Sequence, residues 1–310
     1  MNNKPLLSKA PVVIALAILC NALWGSAIPF INLGYRYFNI PSGETQTQIL
    51  FAGVRFFLAG FLTILFTSIP KKTLLRVKKQ NLHMVLILGM TQTLAQYVLF
   101  YIGVARTSSV SGAIIQGVGA FVSILVACYL FHTETMNRLK WIGGAAGVLG
   151  VIVMNLGGEG AFGGMKFTGE GFLFLSMFVS ACSAGLIKVF SQKEDPVALS
   201  GWQFMFGGAM MAAIGFLLGG RLNPAGVGAI AVLLYLAMVS AVAYTIWGVL
   251  LKYNPVSRIA PFMFLQPIFG VILSISFFGG VQESLGKYAA ALVLVCLSIL
   301  IIGRGQQEKA

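Results

Sequence analysis

Carboxylates are nearly missing from this chain. Eight of its 310 residues are acidic, seven Glu and the single Asp195, and the hydropathy pattern assigns all eight to loops or helix ends. A proton or sodium relay built on a buried acid therefore has no candidate residue, and one Asp cannot supply the Asp-rich, magnesium-binding arrangement of a membrane prenyltransferase. Histidine is almost as scarce, with His83 and His132 about 49 positions apart at the edges of apolar runs, which suits interfacial residues rather than a metal or catalytic pair. The four cysteines, Cys20, Cys128, Cys182 and Cys296, lie inside apolar runs without C-x-x-C spacing. They read as small core residues, and neither a disulfide framework nor a metal site is expected. No nucleophile stands beside a base and no glycine loop suits phosphate, so neither an enzyme nor a cofactor is expected.

What fills the chain instead is apolar: 58% of residues are hydrophobic, 9% are charged, and the mean hydropathy is +0.89. A soluble globular protein carries about 25% charged residues, so this is an all-α polytopic membrane protein. The net charge of +13 would suggest nucleic acid in a soluble chain; here lysine and arginine collecting on cytoplasmic loops explain it, and no nucleic-acid partner is expected. The first apolar run, residues 11–31, exceeds the 7–15 residues of a signal-peptide core and lacks a small-residue cleavage site, so it is kept as a spanning helix.

Apolar runs predict ten transmembrane helices, at about 11–32, 46–69, 82–104, 110–131, 139–155, 170–190, 198–219, 226–251, 257–279 and 285–303. Fifteen Lys and Arg then fall on the side of the N-terminus and five on the other, with Arg55 inside a helix. Both termini are expected in the cytoplasm, in a bacterial-type cytoplasmic membrane.

The stretch 82–131 organises the rest. Its two spanning runs are joined by the tight turn 105–109, and the first carries Gln92, Thr93, Gln96, Tyr97 and Phe100. On a regular helix these share an arc of roughly 140°, and such a stripe must face protein or water. A shift of 147 positions superposes this hairpin on a second copy without gaps: Tyr97 meets Tyr244, Phe100 meets Trp247, Thr93 meets Ser240, and Thr107-Ser108 meets Asn254-Pro255. Helix three thereby falls on helix eight and helix four on helix nine, so each half holds five helices. Five is odd, and the second half must thread the membrane upside down. The halves are taken as residues 11–155 and 170–303. Such 5+5 inverted-topology repeats place a substrate site near the midplane, with alternating access.

These residues also carry a resemblance. Leu23-Trp24-Gly25-Ser26 in helix one, Arg55-Phe56 in helix two, Ala105-Arg106-Thr107-Ser108 before helix four, and Glu134 with Trp141-Ile142-Gly143-Gly144 leading into helix five form one part of it. Pro255-Val256 and Gln266-Pro267 in helix nine complete it. Over nearly its full length the chain resembles the EamA-type branch of the drug/metabolite transporter superfamily. The resemblance implies a 5+5 fold, export of amino acids or other small metabolites, and a central cavity lined by helices one, three, four, six, eight and nine. One departure is Ala120, where family members often carry a proline in helix four; its counterpart Pro267 is present. Whether helix four bends like helix nine is thus open.

Helix eight groups Ser240, Tyr244 and Trp247 within about 60°, mirroring helix three. With Asn21, Trp24, Gln92, Gln96, Tyr97, Gln116, Ser183 and Gln266 they would form a neutral pocket for a small zwitterion, an aromatic body or an organic cation. Interhelical glue and core packing are the plainer roles for the same groups. Arg55 needs a partner at a cost of about 2.5–3.5 kcal/mol at a lipid-facing centre. Its helix is not among those implied to line the cavity, so capping or snorkelling toward Glu44 or Glu170 stands ahead of pairing with a substrate anion. Pro261 and Pro267 are expected kink points. Gly143, Gly147, Gly150, Gly215 and Gly219 suggest close helix packing, within a monomer or a homodimer. The basic run around Lys71 to Lys79 serves as a topology signal or touches anionic lipid. The expected function is secondary export of a small molecule from the bilayer-embedded cavity; import or facilitation stands as the alternative, with a transferase or sensor disfavoured.

Overall fold

A computed structural model describes residues 6–41, 43–107, 109–155, 167–278 and 285–307. Among these residues there are ten helical spans and no strands. We label them α1 (Ala10–Tyr37), α2 (Thr45–Lys71), α3 (82–104), α4 (Ser109–Tyr129), α5 (Arg138–Asn155), α6 (Phe167–Phe190), α7 (Pro196–Leu217), α8 (Gly226–Tyr253), α9 (256–278) and α10 (Leu285–Gln307). Six of them, α1, α2, α3, α6, α7 and α8, are 22 to 28 residues long and apolar enough to cross a membrane. Large side chains such as Phe61, Phe66, Leu149, Phe174 and Leu300 project outward, as a bilayer solvent allows. The long loop 156–166, with Glu159 and Lys166, and the segment 279–284, with Glu283, lie outside the described residues.

Packing follows a pseudo-two-fold pattern. α2 lies along α7 and α5 along α10, each helix beside its own counterpart in the other half. α1 packs on α8 and α9, and α6 packs correspondingly on α3 and α4. Two halves of opposite orientation exchange these contacts, which is the 5+5 inverted repeat in three dimensions.

Small residues make the α2/α7 contact close. A Cβ added to Gly53 would run into the backbone of Met211 and Ala212, and one on Gly215 into that of Gln46 and Leu50. Gly143 and Gly150 similarly bring α5 against α10, facing Ser298, Ile302 and Ala291. These stripes are spent inside the monomer. Gly219 departs from the packing expectation: it has φ +97° and nothing within 4 Å of an added Cβ. It ends α7, where a left-handed residue lets Gly219 N and Gly220 N bond back to Phe216 O and Gly215 O.

Two helices are irregular. α3 changes to π-helical geometry over Gly89–Ala95, so the regular-helix arc drawn from the sequence does not hold there. α9 begins as Val256–Ile259, tightens to a 3₁₀ turn over Ala260–Phe264, and resumes as Leu265–Phe278. Pro261 and Pro267 lack the N–H groups that Ser257 O and Met263 O would otherwise accept, which is the cause of the break. α4, with Ala120 at the corresponding place, runs unbroken.

Loops sort to two ends of the bundle. At the end holding the described N-terminal residues, Arg258 Nη1 donates to Ser8 O at 3.1 Å, and Trp202 Nε1 to Leu75 O at 2.9 Å. At the opposite end Ala225 N donates to Tyr37 O at 2.7 Å.

Candidate functional site

Where the halves meet, Tyr97 of α3 and Tyr244 of α8 join hydroxyl to hydroxyl at 2.5 Å. Around this pair lies a cavity of about 150 Å³, roughly ten times the room one buried water needs. Its wall brings together Trp24, Gln92, Gln96, Tyr97, Gln116, Ser240, Tyr244, Trp247 and Gln266 from five helices. Asn21 and Ser183 are not on it. Both are fully buried and bond back along their own helices, Asn21 Nδ2 to Ala17 O at 2.7 Å and Ser183 Oγ to Val179 O at 2.9 Å. Helix rotation turns them away, a phase that hydropathy alone does not resolve.

Local chemistry explains how the wall is held. Gly25 lets α1 approach α9 so closely that an added Cβ would sit 2.7 Å from Phe269 Cβ and 2.9 Å from Gln266 O, and this seats Trp24 and Gln266 on one surface. Trp24 then meets Tyr244 and Trp247 edge-on, with ring centroids 5.1 Å apart in each case. The aromatic series continues from Tyr244 through Phe204 and Phe56 to Tyr97, at centroid distances of 5.0, 5.3 and 4.4 Å. Such geometry adds rigidity beyond area burial.

The π turn of α3 aims neighbouring residues at different partners. Gln92, Gln96 and Tyr97 reach the cavity, whereas Thr93 Oγ1 donates to Gln203 Oε1 at 2.7 Å. Gln203 Nε2 in turn donates to Gln92 Oε1 at 3.1 Å. Gln203, fully buried on α7, was missed in the sequence; its signal was an amide within an apolar run. Ser176 of α6, likewise missed, donates to Gln96 O at 2.7 Å, next to the geometry where the π turn disturbs the backbone ladder.

Arg55 stands on the cavity wall with 3% of its surface exposed, so α2 joins the lining helices. Its guanidinium carbon sits 4.3 Å from the Phe56 ring centroid and 5.9 Å from that of Tyr97. Of the two acids considered as its partners, Glu44 instead accepts from Thr47 at 2.9 Å. Hydrogen bonds to Arg55 Nε, Trp24 Nε1 and Gln96 Oε1 are lacking although all three atoms are buried.

Polar contacts join the two halves at one end of the bundle. Glu134, just after α4, accepts from Ser257 N at 3.1 Å and from Ser257 Oγ at the start of α9, and pairs with Lys140 Nζ at 2.9 Å. This latch joins the two halves. Lys188 Nζ donates to Asn254 O at 2.8 Å, and Asn254 Nδ2 to Leu7 O at 2.9 Å. Cavity-lining Ile28, Ile31, Phe100 and Tyr101 lie toward the other end.

A bundle of two inverted five-helix halves around a cavity lined by aromatic rings and a few amides finds its match among transporters. The profile of the EamA-like transporter family fits residues 12–156 and again 167–304. The chain belongs to the EamA-like transporter family. Among relatives of this EamA-like protein are two called "probable amino-acid metabolite efflux pump". The one from Salmonella typhimurium (strain LT2) is 24% identical over 93% of this chain and 94% of its own, and the one from Escherichia coli (strain K12) is 25% identical over the same shares. A solved crystal structure shares the fold with a TM-score of 0.75, over 94% of this chain and 98% of that one, at 15% identity. The EamA-like chain is thus a multi-pass membrane transporter.

Proposed function

We propose that this protein exports small metabolites of the amino-acid class by alternating access across a cytoplasmic membrane, with both termini in the cytoplasm. The observation that carries the reading is the cavity at the seam of the repeats, where Tyr97 and Tyr244 meet amides and indoles. A site shared by two inverted halves is reached from either side when one half rocks against the other. The Lys and Arg excess beside the N-terminus supports the orientation, and in that orientation the Glu134 latch closes the cytoplasmic side. The relatives named as probable amino-acid metabolite efflux pumps support the substrate class and the direction.

The residues given a binding role are Trp24, Gln92, Gln96, Tyr97, Gln116, Ser240, Tyr244, Trp247 and Gln266. Reconstitution in vesicles tests the reading: loaded radiolabelled amino acids should leave faster than from protein-free vesicles. Gln96→Ala and Trp247→Ala should each lower that rate at least tenfold. Unchanged flux in both variants would remove the cavity from the pathway.

A further inference from the structure

Arg55 is a permanent charge placed where a membrane protein can least tolerate one. It lies ten residues inside α2, about 15 Å along the axis from Thr45, within reach of the bilayer midplane. Such residues persist when they face a partner or a water-filled cavity. Phe56 and Tyr97 offer their ring faces, which attract a cation without neutralising it. Among the described residues no carboxylate lines the cavity. Four of the five described acids are engaged at helix ends: Glu44 with Thr47, Glu134 with Lys140 and Ser257, Glu194 with Asn81, and Asp195 with the first turn of α7.

The atoms left without hydrogen bonds complete the pattern. Of seven such buried side-chain atoms among the described residues, three belong to residues on this cavity: the donors Arg55 Nε and Trp24 Nε1 and the acceptor Gln96 Oε1. Buried polar atoms without partners are rare in folded proteins, and a cluster of them marks a missing partner. Two donors, one of them on a guanidinium, call for an anionic acceptor; Arg is suited to a planar carboxylate through its fork of N–H groups. One acceptor beside indole and phenol faces calls for an ammonium.

Resting on the transport reading above, we infer that the substrate must carry a carboxylate, held by Arg55 with Trp24, and that its ammonium is held at Gln96. Arg55 is then the residue that selects against amines, amides and organic cations, because a substrate without an anion leaves the guanidinium uncompensated and adds like charge beside it. This narrows the set drawn from the sequence, in which a zwitterion, an aromatic body and an organic cation stood side by side, and it puts the anion-pairing role of Arg55 ahead of the structural one.

The test compares ligands that differ only at the two charged groups, on the full-length protein purified in detergent. Thermal shift is followed first with the common amino acids and a set of simple carboxylates, then with the amide and the decarboxylated amine of each binder. For phenylalanine, the probes are phenylalaninamide, phenethylamine and 3-phenylpropionate. The acid forms should bind at least 100-fold more tightly than the amide or the amine. Loss of the ammonium in 3-phenylpropionate should weaken binding less than loss of the carboxylate. Arg55→Gln should lose acid binding at least tenfold, and Arg55→Lys should recover part of it. If the Arg55 variants do not fold, the wild-type comparison of acid with amide decides alone.

Amide or amine binding within threefold of the acid overturns the inference, as does silence from every carboxylate tested. Loss of binding in Gln96→Ala and Trp247→Ala but not in Arg55→Gln would leave the cavity standing and overturn the role of Arg55. Wild-type binding in all three variants would remove both.

Discussion

Tyr97 and Tyr244 occupy the same position in the two inverted repeats, 147 residues apart, and their hydroxyls bond to each other at 2.5 Å. A residue and its repeat counterpart can touch only on the axis that relates the halves, so this bond marks the seam about which they would rock. Its worth differs between conformations as soon as the halves move, which makes it a lever on the equilibrium between them.

Removing either hydroxyl should weaken the seam and take one bond from its buried partner oxygen. Tyr97→Phe and Tyr244→Phe are each expected to cost about 1–3 kcal/mol, read as a lower midpoint of thermal unfolding. The double variant should cost clearly less than the sum, because the second substitution removes a group that has already lost this bond. Additive losses would show that the two hydroxyls act separately.

Glu134 holds α9 of one half to the end of α4 of the other, and its only described ion-pair partner is Lys140. Glu134→Ala should therefore release this end of the bundle, at roughly 3–5 kcal/mol for a broken buried pair. Cys128, 6% exposed and 3.9 Å from Lys140 Nζ of the latch, supplies a native reporter. With the other three cysteines replaced, labelling of Cys128 by a membrane-impermeant maleimide should rise severalfold in Glu134→Ala, and unchanged labelling would count against a latch.

Gln203 is expected to be a positioning residue for Gln92, since it bridges Thr93 and Gln92 from α7. Gln203→Leu should leave both groups without a bond at a cost of about 1–3 kcal/mol. In vesicles it should raise KM more than it lowers the maximal rate. An equal effect on both would indicate that it acts on the folded population only.

Gly25 and Gly303 form a controlled pair. An added Cβ at Gly25 meets α9 at 2.7–2.9 Å, whereas at Gly303 it meets nothing within 4 Å. Gly25→Ala should destabilise by about 1–3 kcal/mol through overpacking and disturb the Trp24 fluorescence environment. Gly303→Ala should leave the unfolding midpoint unchanged or slightly raised.

Much of this architecture was legible in one dimension. Run lengths of spanning size gave ten helices, and an odd number per repeat forced the inversion. The polar stripes on α3 and α8 pointed at the seam because a polar face in lipid must turn inward. The proline asymmetry between Ala120 and Pro267 left the bend of helix four open, and the structure has an unbroken α4 beside a broken α9.

Tertiary structure decided the rest, because distances between residues a hundred positions apart depend on helix rotation and on local breaks in helical geometry. The π turn at Gly89–Ala95 sends Gln92 to the cavity and Thr93 to Gln203. Rotation of α1 and α6 keeps Asn21 and Ser183 off the wall. The same freedom brings Arg55 onto it, where hydropathy could show only that a charge was buried, and not which partner it faced.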